Sequence, residues 1–199
     1  MFALLWLLVS VFTSAQTPLQ HSDPEPTVEA VIPDHVYATT AKSLRYLDFR
    51  NLQFHVFDQQ GKSLITAKLL NGKYQSKWTV QKGSNWLRLD WVRFLGEESE
   101  FAIVSLSWVT TGASSSDFGV VQVFVLREGH PVVVQQILFN TRGCGTSSEL
   151  SGRPPLLSIK GVHGWEHCCP KMLDVIKFRW AGGSFQRLSH HSVPLPETC

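Results

Sequence analysis

The chain has 199 residues, of which 43% are hydrophobic and 17% charged. This length fits one domain with an attached tail, and so large an apolar fraction excludes a mostly disordered chain. The formal net charge is only +2, and the lysines and arginines are scattered. Charge therefore gives no support for binding to nucleic acid or to an anionic membrane.

The N-terminus has the pattern of a secretory signal peptide. An apolar run from Phe2 to Val11 precedes a small-residue segment, Thr13 to Ala15, which fits the −3 and −1 positions of a signal peptidase site. The run is shorter than the about 20 apolar residues that span a bilayer. We expect residues 1–15 to be a cleaved signal that sends the chain to the periplasm or outside the cell, with an uncleaved anchor as the alternative. No later segment reaches a transmembrane length.

The segment after the leader predicts a linker. Residues 16–35 contain four prolines and few large apolar side chains. Because proline lacks a backbone donor and opposes both helix and central strand, these residues are expected to form a linker or a loosely attached arm. A single β-rich domain is predicted over residues 36–190, and residues 191–199 are predicted to be a C-terminal tail.

The first strands of the domain are predicted from alternating apolar residues. Leu52–Phe57 is one such segment, and residues 58–62 form the turn after it. Leu64–Leu70 and Tyr74–Val80 flank Asn71-Gly72. That dipeptide is a strong hairpin signal because a type I′ turn needs positive φ at both central positions.

The remaining strands follow at short spacing. In Leu87–Trp91 the apolar residues alternate and are expected to share one face, whereas Phe101–Val109 is apolar on both faces, as in a central strand. Further strands are predicted at the following segments: Val120–Leu126, Val132–Phe139, Leu156–Lys160, Val175–Trp180 and Phe185–Leu188. Residues 41–50 can hold one short helix at most. About nine or ten strands predict an all-β fold: an antiparallel sandwich, a barrel or a strongly curved sheet.

Four cysteines follow the leader, at Cys144, Cys168, Cys169 and Cys199. In an oxidising compartment an even number of cysteines indicates disulfides. Adjacent cysteines in an extended segment point to opposite faces and bond most easily to different partners. We expect Cys144 to bond to Cys168 or Cys169, and the state of Cys199 stays open.

The same region also has the composition of a metal site. His163, His167, Cys168 and Cys169 lie within seven residues of one another, and imidazole with thiolate suits zinc or copper. A metal-binding protein or metal-dependent hydrolase centred on residues 163–169 is therefore the alternative to a structural disulfide without a cofactor. His190 and His191, near the C-terminus, are interpreted as solvated.

Two loops imitate catalytic or metal-binding motifs. Gly112–Ser116 is similar to a nucleophile elbow but lacks the closing glycine and a following helix, so it is interpreted as a polar loop. A Ser115, His163 and Asp174 set is not favoured over chance. The acidic loop at residues 97–100 is interpreted as a solvated turn, with calcium as the alternative.

Tryptophan content suggests a binding module, because exposed indoles bury a large area at low entropic cost. The six outside the leader are Trp78, Trp86, Trp91, Trp108, Trp165 and Trp180. Trp78, Trp91 and Trp180 alternate with polar neighbours and are predicted to lie in the core. Trp165, in a loop rich in Gly, His and Cys, is the predicted recognition residue, together with His163 and His167.

The C-terminal third of the chain resembles a family of exported bacterial proteins. Cys168-Cys169-Pro170, followed by the aromatic and glycine-rich segment Phe178–Gly183, is similar to the LppP/LprE-type lipoproteins, although their lipidation cysteine is missing here. The resemblance implies an envelope or secreted domain without an assigned activity or catalytic residues. The predicted function is thus a non-enzymatic exported β-domain that binds a protein or a small ligand.

Overall fold

The computed structural model describes residues 27–30, 35–58, 60–77, 83–111, 117–141, 145–162 and 171–195. These residues form thirteen strands and one 3-10 turn at Leu44–Tyr46, which confirms the all-β prediction with at most one short helix. The strands are β1 (Thr27–Ala30), β2 (His35–Val36), β3 (Gln53–Phe57), β4 (Ser63–Lys68), β5 (Lys73–Lys77), β6 (Ser84–Leu95), β7 (Phe101–Thr111), β8 (Phe118–Arg127), β9 (His130–Asn140), β10 (Ser147–Ser151), β11 (Leu156–Val162), β12 (Met172–Ala181) and β13 (Ser184–Pro194). The part of the chain that the structure describes contains no helix that is long and apolar enough to cross a bilayer.

The largest sheet is an antiparallel meander with two short strands added at one edge. Its order is β1-β9-β8-β7-β6-β5, and β2 also pairs with β9. The β8–β9 hairpin turns at Glu128 and Gly129, whose φ angles are 53° and 81°. Both positive values match the twist that a two-residue hairpin turn needs.

Both faces of this central sheet are buried at β7 and β8. Ala102, Val104 and Leu106 face one core, whereas Ile103 and Val121 face another. The residues alternate between the two cores because successive side chains of a strand point to opposite faces. Phe101–Val109 is therefore the central strand that its continuous apolar run predicts.

One face of the central sheet is covered by the β3–β4 hairpin and by the segment that precedes it. Phe54 and Val56 of β3, Ala67 of β4 and Leu44 of the 3-10 turn pack into the first core. The other face is covered by a second sheet of order β10-β11-β12-β13. Its buried residues pack on the central sheet to form the second core; they are Leu157, Ile159, Ile176, Phe178 and Phe185. The fold is a three-layered β-sandwich.

The Asn71-Gly72 turn has the predicted conformation but a different role. Its φ angles are 54° and 82°, as a type I′ turn requires. The two strands beside it, however, belong to different sheets: β4 pairs with β3, and β5 pairs with β6. Among the described residues, the bridge between Leu70 and Lys73 is the one backbone pairing that joins them. The turn is a corner that carries the chain from an outer layer into the central sheet.

A β-bulge changes the predicted faces of β6. The pairing register with β7 shifts between Leu89 and Trp91. Leu87 consequently lies in the first core, whereas Trp91 packs against the second. The interpretation of Trp91 as a core residue holds, but the expectation that Leu87, Leu89 and Trp91 share one face is wrong, because a bulge inserts one residue and reverses the alternation.

Both ends of the domain form strands beyond the limits that the sequence predicts. Within the predicted arm, Thr27–Ala30 pairs with residues 136–139 of β9, and β2 pairs with Val132 and Val133. Both strands cover the edge of β9, where proline is tolerated. At the other end, β13 extends to Pro194, four residues past the expected end of the domain.

Candidate functional site

Among the described residues, the second sheet leaves one part of the face of the central sheet uncovered, on β5, β6 and β7. Trp86 and Arg88 alternate with Leu87, which is buried in the first core, so they face the side of the second sheet. On β7 the partners of these two residues are Val109 and Ser107. Unlike Ile103 on the same face, these residues are not buried. The second sheet therefore covers only part of this face.

A groove follows the uncovered face and consists of two adjoining cavities of about 330 and 370 Å³. Arg88, Ser107 and Val109 line both of them. The smaller cavity is lined in addition by Lys73, Trp86 and Leu87. The larger one lies against β10 and is lined in addition by Asp90, Trp91, Asp117, Phe139, Thr141, Thr146, Ser147 and Ser148.

An indole and an aliphatic side chain form the apolar part of the groove. Trp86 is 39% exposed and its cross-strand partner Val109 is 38% exposed. The Trp86 Nε1–H donates to the Ser84 hydroxyl at 2.8 Å. This bond occupies the only polar atom of the indole, so the ring can offer its apolar surface to a ligand.

The charged side chains of the groove are separated by sign along its length. Lys73 and Arg88 are directly opposite each other on β5 and β6. Arg88 Nε donates to Asp90 Oδ1 at 2.9 Å, and the Ser107 hydroxyl donates to the other oxygen of that carboxylate. Asp117 lies in the larger cavity, where its Oδ1 accepts the Thr110 N–H at 2.9 Å. The cations thus line one cavity and the carboxylates the other, with Arg88 in both.

The wall at β10 is fixed to the central sheet by two polar contacts. Trp91 Nε1 donates to the Ser148 carbonyl at 3.1 Å, and the Ser105 and Ser148 hydroxyls are 2.8 Å apart. Ser105 is fully buried. Because both contacts link the second sheet to the floor of the groove, they set the width of the larger cavity.

Two histidines meet on the other side of the molecule, at the start of the domain. The rings of His35 and His55 have centroids 4.1 Å apart, and His35 also contacts Tyr37 and Phe57 edge-on. Burial lowers the pKa of both imidazoles, and the neighbouring His35 lowers that of His55 further. His55 Nδ1 lies 3.1 Å from the Thr66 hydroxyl. The pair is an aromatic contact between β2 and β3.

A buried carboxylate on β12 also has polar partners. Asp174 is completely buried, and one of its oxygens accepts the Ser192 hydroxyl and lies 3.1 Å from His190 Nε2. A nucleophilic triad needs the histidine between the serine and the carboxylate, whereas here both contact the same oxygen. His190 and His191 are both exposed, as predicted, and His190 in addition contacts this carboxylate.

The residues predicted to carry function or a disulfide lie outside the described part of the chain. They are His163, Trp165, His167, Cys144, Cys168, Cys169 and Cys199, together with Trp78 and Ser115. Among the residues that are described, no group of three or more His, Cys, Asp or Glu side chains could hold a metal ion. The zinc or copper alternative and the disulfide thus stay predictions.

Sequence reasoning missed Trp86, although a signal was present. Trp86 alternates with Leu87 and shares its strand face with Ser84 and Arg88, which marks it as a residue of the polar face. Trp180, by contrast, packs against the second core, as predicted. No protein-family model matches this chain, and neither does any curated protein or solved structure.

Proposed function

We propose that the chain is an exported, non-enzymatic binding module whose groove on β5, β6 and β7 takes an oligosaccharide. The observation that carries the proposal is the exposed indole of Trp86 inside a groove that polar side chains also line. Each cavity has a volume within the range of about 300–1,000 Å³ typical of ligand sites. An apolar surface with a few fixed polar groups is the composition expected of such a site.

The contacts that hold the Trp86 indole in place support a role in ligand binding, and not mere exposure of the side chain. Its hydrogen bond to Ser84 holds the ring, and β6 is paired on both sides, with β5 and with β7. Binding to a ring that is already held in place costs less conformational entropy than binding that must first order a flexible loop of the protein. The groove therefore offers a preorganised platform.

Export is the part of the proposal that the leader carries. The apolar run and small-residue exit at residues 2–15 have the pattern of a signal peptide. The four cysteines after it fit an oxidising compartment. A module that works outside the cytoplasm needs disulfides or a large core for stability, and this chain offers a three-layered core and four cysteines.

The binding test compares Trp86→Ala with Tyr46→Ala in the mature protein. Tyr46 is 80% exposed and lies outside the groove, so its loss should be neutral. The probe is an array of neutral and acidic oligosaccharides, followed by calorimetric titration of any that bind. We expect Trp86→Ala to weaken binding about tenfold or more, which is about 1.4 kcal/mol, and Tyr46→Ala to leave it unchanged. Absence of binding to every sugar, or equal binding by the two variants, would refute the proposal.

A metal-dependent function at residues 163–169 remains the second candidate. It depends on the two histidines and two thiols that the sequence places there. Its test is the zinc and copper content of the purified protein, measured beside a count of free thiols. One equivalent of metal with free thiols would favour this candidate, and absence of both metal and free thiols would exclude it.

A further inference from the structure

We infer that the ligand of the groove is an acidic oligosaccharide in which carboxylate-bearing rings, as in uronic acids, alternate with neutral rings. This inference rests on the proposed binding function and adds the charge of the ligand. It is carried by Lys73 and Arg88, which face each other across β5 and β6 inside the smaller cavity.

Asp90 balances only one of the two positive charges, through its ion pair with Arg88. Like charges directly opposite each other on neighbouring strands destabilise a sheet. Lys73 is exposed, and within the described ranges it makes no ion pair. Arg88 uses Nε for Asp90 and is 64% exposed, so most of its five donors are left for a ligand. A carboxylate bound here would relieve the repulsion.

The lining of the two cavities separates the charges. Among the described residues that line the smaller cavity, which include Lys73, Arg88 and Trp86, none is acidic. The larger cavity holds Asp90 and Asp117. A ligand with closely spaced negative charge, such as a nucleic acid, would meet repulsion in the larger cavity. A chain of sugar rings avoids it, because hydroxyl groups donate to carboxylates while a uronate occupies the cationic end.

Trp86 lines the cavity at a position where a bound sugar ring can stack on it. It lines the same cavity as Lys73 and Arg88, and the alternation of side chains along β6 places Arg88, two residues on, on the same face. The C–H face of a pyranose packs on an indole, while its ring carboxylate reaches the neighbouring cations. The aromatic platform and the positive charges therefore recognise two parts of one sugar.

The experiment uses acidic oligosaccharides and their own neutral forms. A hyaluronan hexasaccharide and an unsulfated chondroitin hexasaccharide, in which uronates alternate with neutral rings, are titrated into the mature protein, each beside its methyl ester. We expect at least one acid to bind with a Kd below about 1 mM, its ester to bind at least tenfold more weakly, and the affinity for the acid to fall as salt is raised. Lys73→Gln should weaken binding of the acid by a larger factor than binding of its ester.

Lys68→Gln is the matched control, because Lys68 is exposed on β4 and does not line the groove. Equal affinity for an acid and its ester, or binding of neutral sugars alone, would overturn the inference while the binding function stands. Failure of acidic, esterified and neutral sugars together would overturn both. Equal losses in Lys73→Gln and Lys68→Gln would show that the total charge of the protein acts, and not this pair.

Discussion

Gln135 and Gln136, adjacent on β9, hydrogen-bond to opposite outer layers of the sandwich. Gln135 Nε2 donates to the Phe185 carbonyl and its Oε1 accepts the Phe185 N–H, both at 2.8 Å. Gln136 does the same for Phe57, with its Nε2 2.7 Å from the carbonyl and its Oε1 3.1 Å from the amide nitrogen. Each side-chain amide bonds the backbone N–H and C=O of its phenylalanine in the way that a neighbouring strand would. These two glutamines therefore connect all three layers.

Gln136→Leu should destabilise the protein by about 2–4 kcal/mol, because it leaves a buried N–H and a buried C=O of Phe57 without partners. It also removes the acceptor of the Gln122 side-chain amide, which is 2.9 Å away. The free energy of unfolding in urea measures the effect. Gln186→Leu, at an exposed position of β13, is the control and should change it by less than about 0.5 kcal/mol. Equal values for the two variants would contradict the proposed role of Gln136.

Gly119→Ala should be one of the most damaging small substitutions. A Cβ at Gly119 would lie 2.0 Å from the ring of Phe139, its cross-strand partner. Overpacking of this kind costs typically about 1–3 kcal/mol, and the ring covers the glycine on the second-core side of the sheet. The expected result is a lower midpoint of unfolding in urea.

A double variant tests whether the loss of stability in Gly119→Ala arises from the clash with Phe139. Phe139→Leu shortens the side chain that the new Cβ meets, so the double variant Gly119→Ala, Phe139→Leu should lose less stability than the sum of the two single changes. Strict additivity would show that the glycine acts through backbone freedom and not through its contact with Phe139.

Strand positions could be predicted from sequence where alternation or a two-residue turn is long enough to be visible. Phe101–Val109 and the Asn71-Gly72 turn are examples. The assignment of strands to sheets could not, because the partner of β4 depends on which hydrogen-bonding edge is free, and not on the turn beside it. β2 has only two residues, too few for any period, and forms because the edge of β9 is available.

The groove was hidden from sequence for a similar reason. Lys73 and Arg88 are opposite each other only because β5 and β6 pair in one register, and Trp86 is exposed only because the second sheet stops short of it. Neither relation is local in sequence. What composition did indicate was the type of site: an exposed indole on a β-face.

The cysteines should form at least one disulfide, and the topology of the second sheet supports the predicted partners. Ser147 is opposite Lys160, Val162 is opposite Leu173, and Met172 is opposite Pro194. The start of β10, the start of β12 and the end of β13 therefore lie at one end of this sheet. Cys144 precedes β10, and Cys168 and Cys169 precede β12. Peptide mapping without reductant should yield a peptide that joins Cys144 to this pair.

Cys144→Ser measures the contribution of that bond. Closing a loop of about 25 residues contributes on the order of 3 kcal/mol to the free energy of unfolding. Reduction of the unaltered protein should lower its stability by a similar amount and leave the Cys144→Ser variant less affected. Four thiols that react without reductant would contradict the disulfide and favour the metal site.

The contact between His35 and His55 should make stability fall in acid. In the folded protein the pKa of each imidazole is lowered below its ordinary value of 6.5, so the unfolded chain binds more protons below that pH. The free energy of unfolding is thus unaffected by these groups above about pH 6.5, falls as the pH drops through that value and levels off below the lowered pKa values. Protonation of both rings would also place two positive charges at this contact.

His35→Phe keeps a ring against Tyr37 and Phe57 but removes one titrating group. Its free energy of unfolding should decrease less between pH 7.5 and 5 than that of the unaltered protein, as measured in urea at each pH. His191→Phe is the control, because His191 is exposed on β13 and outside this cluster. Tyr37 stays uncharged over this range, since burial raises the pKa of its phenol. A pH slope that His35→Phe leaves unchanged, or that His191→Phe reduces equally, would show that the acid sensitivity arises elsewhere.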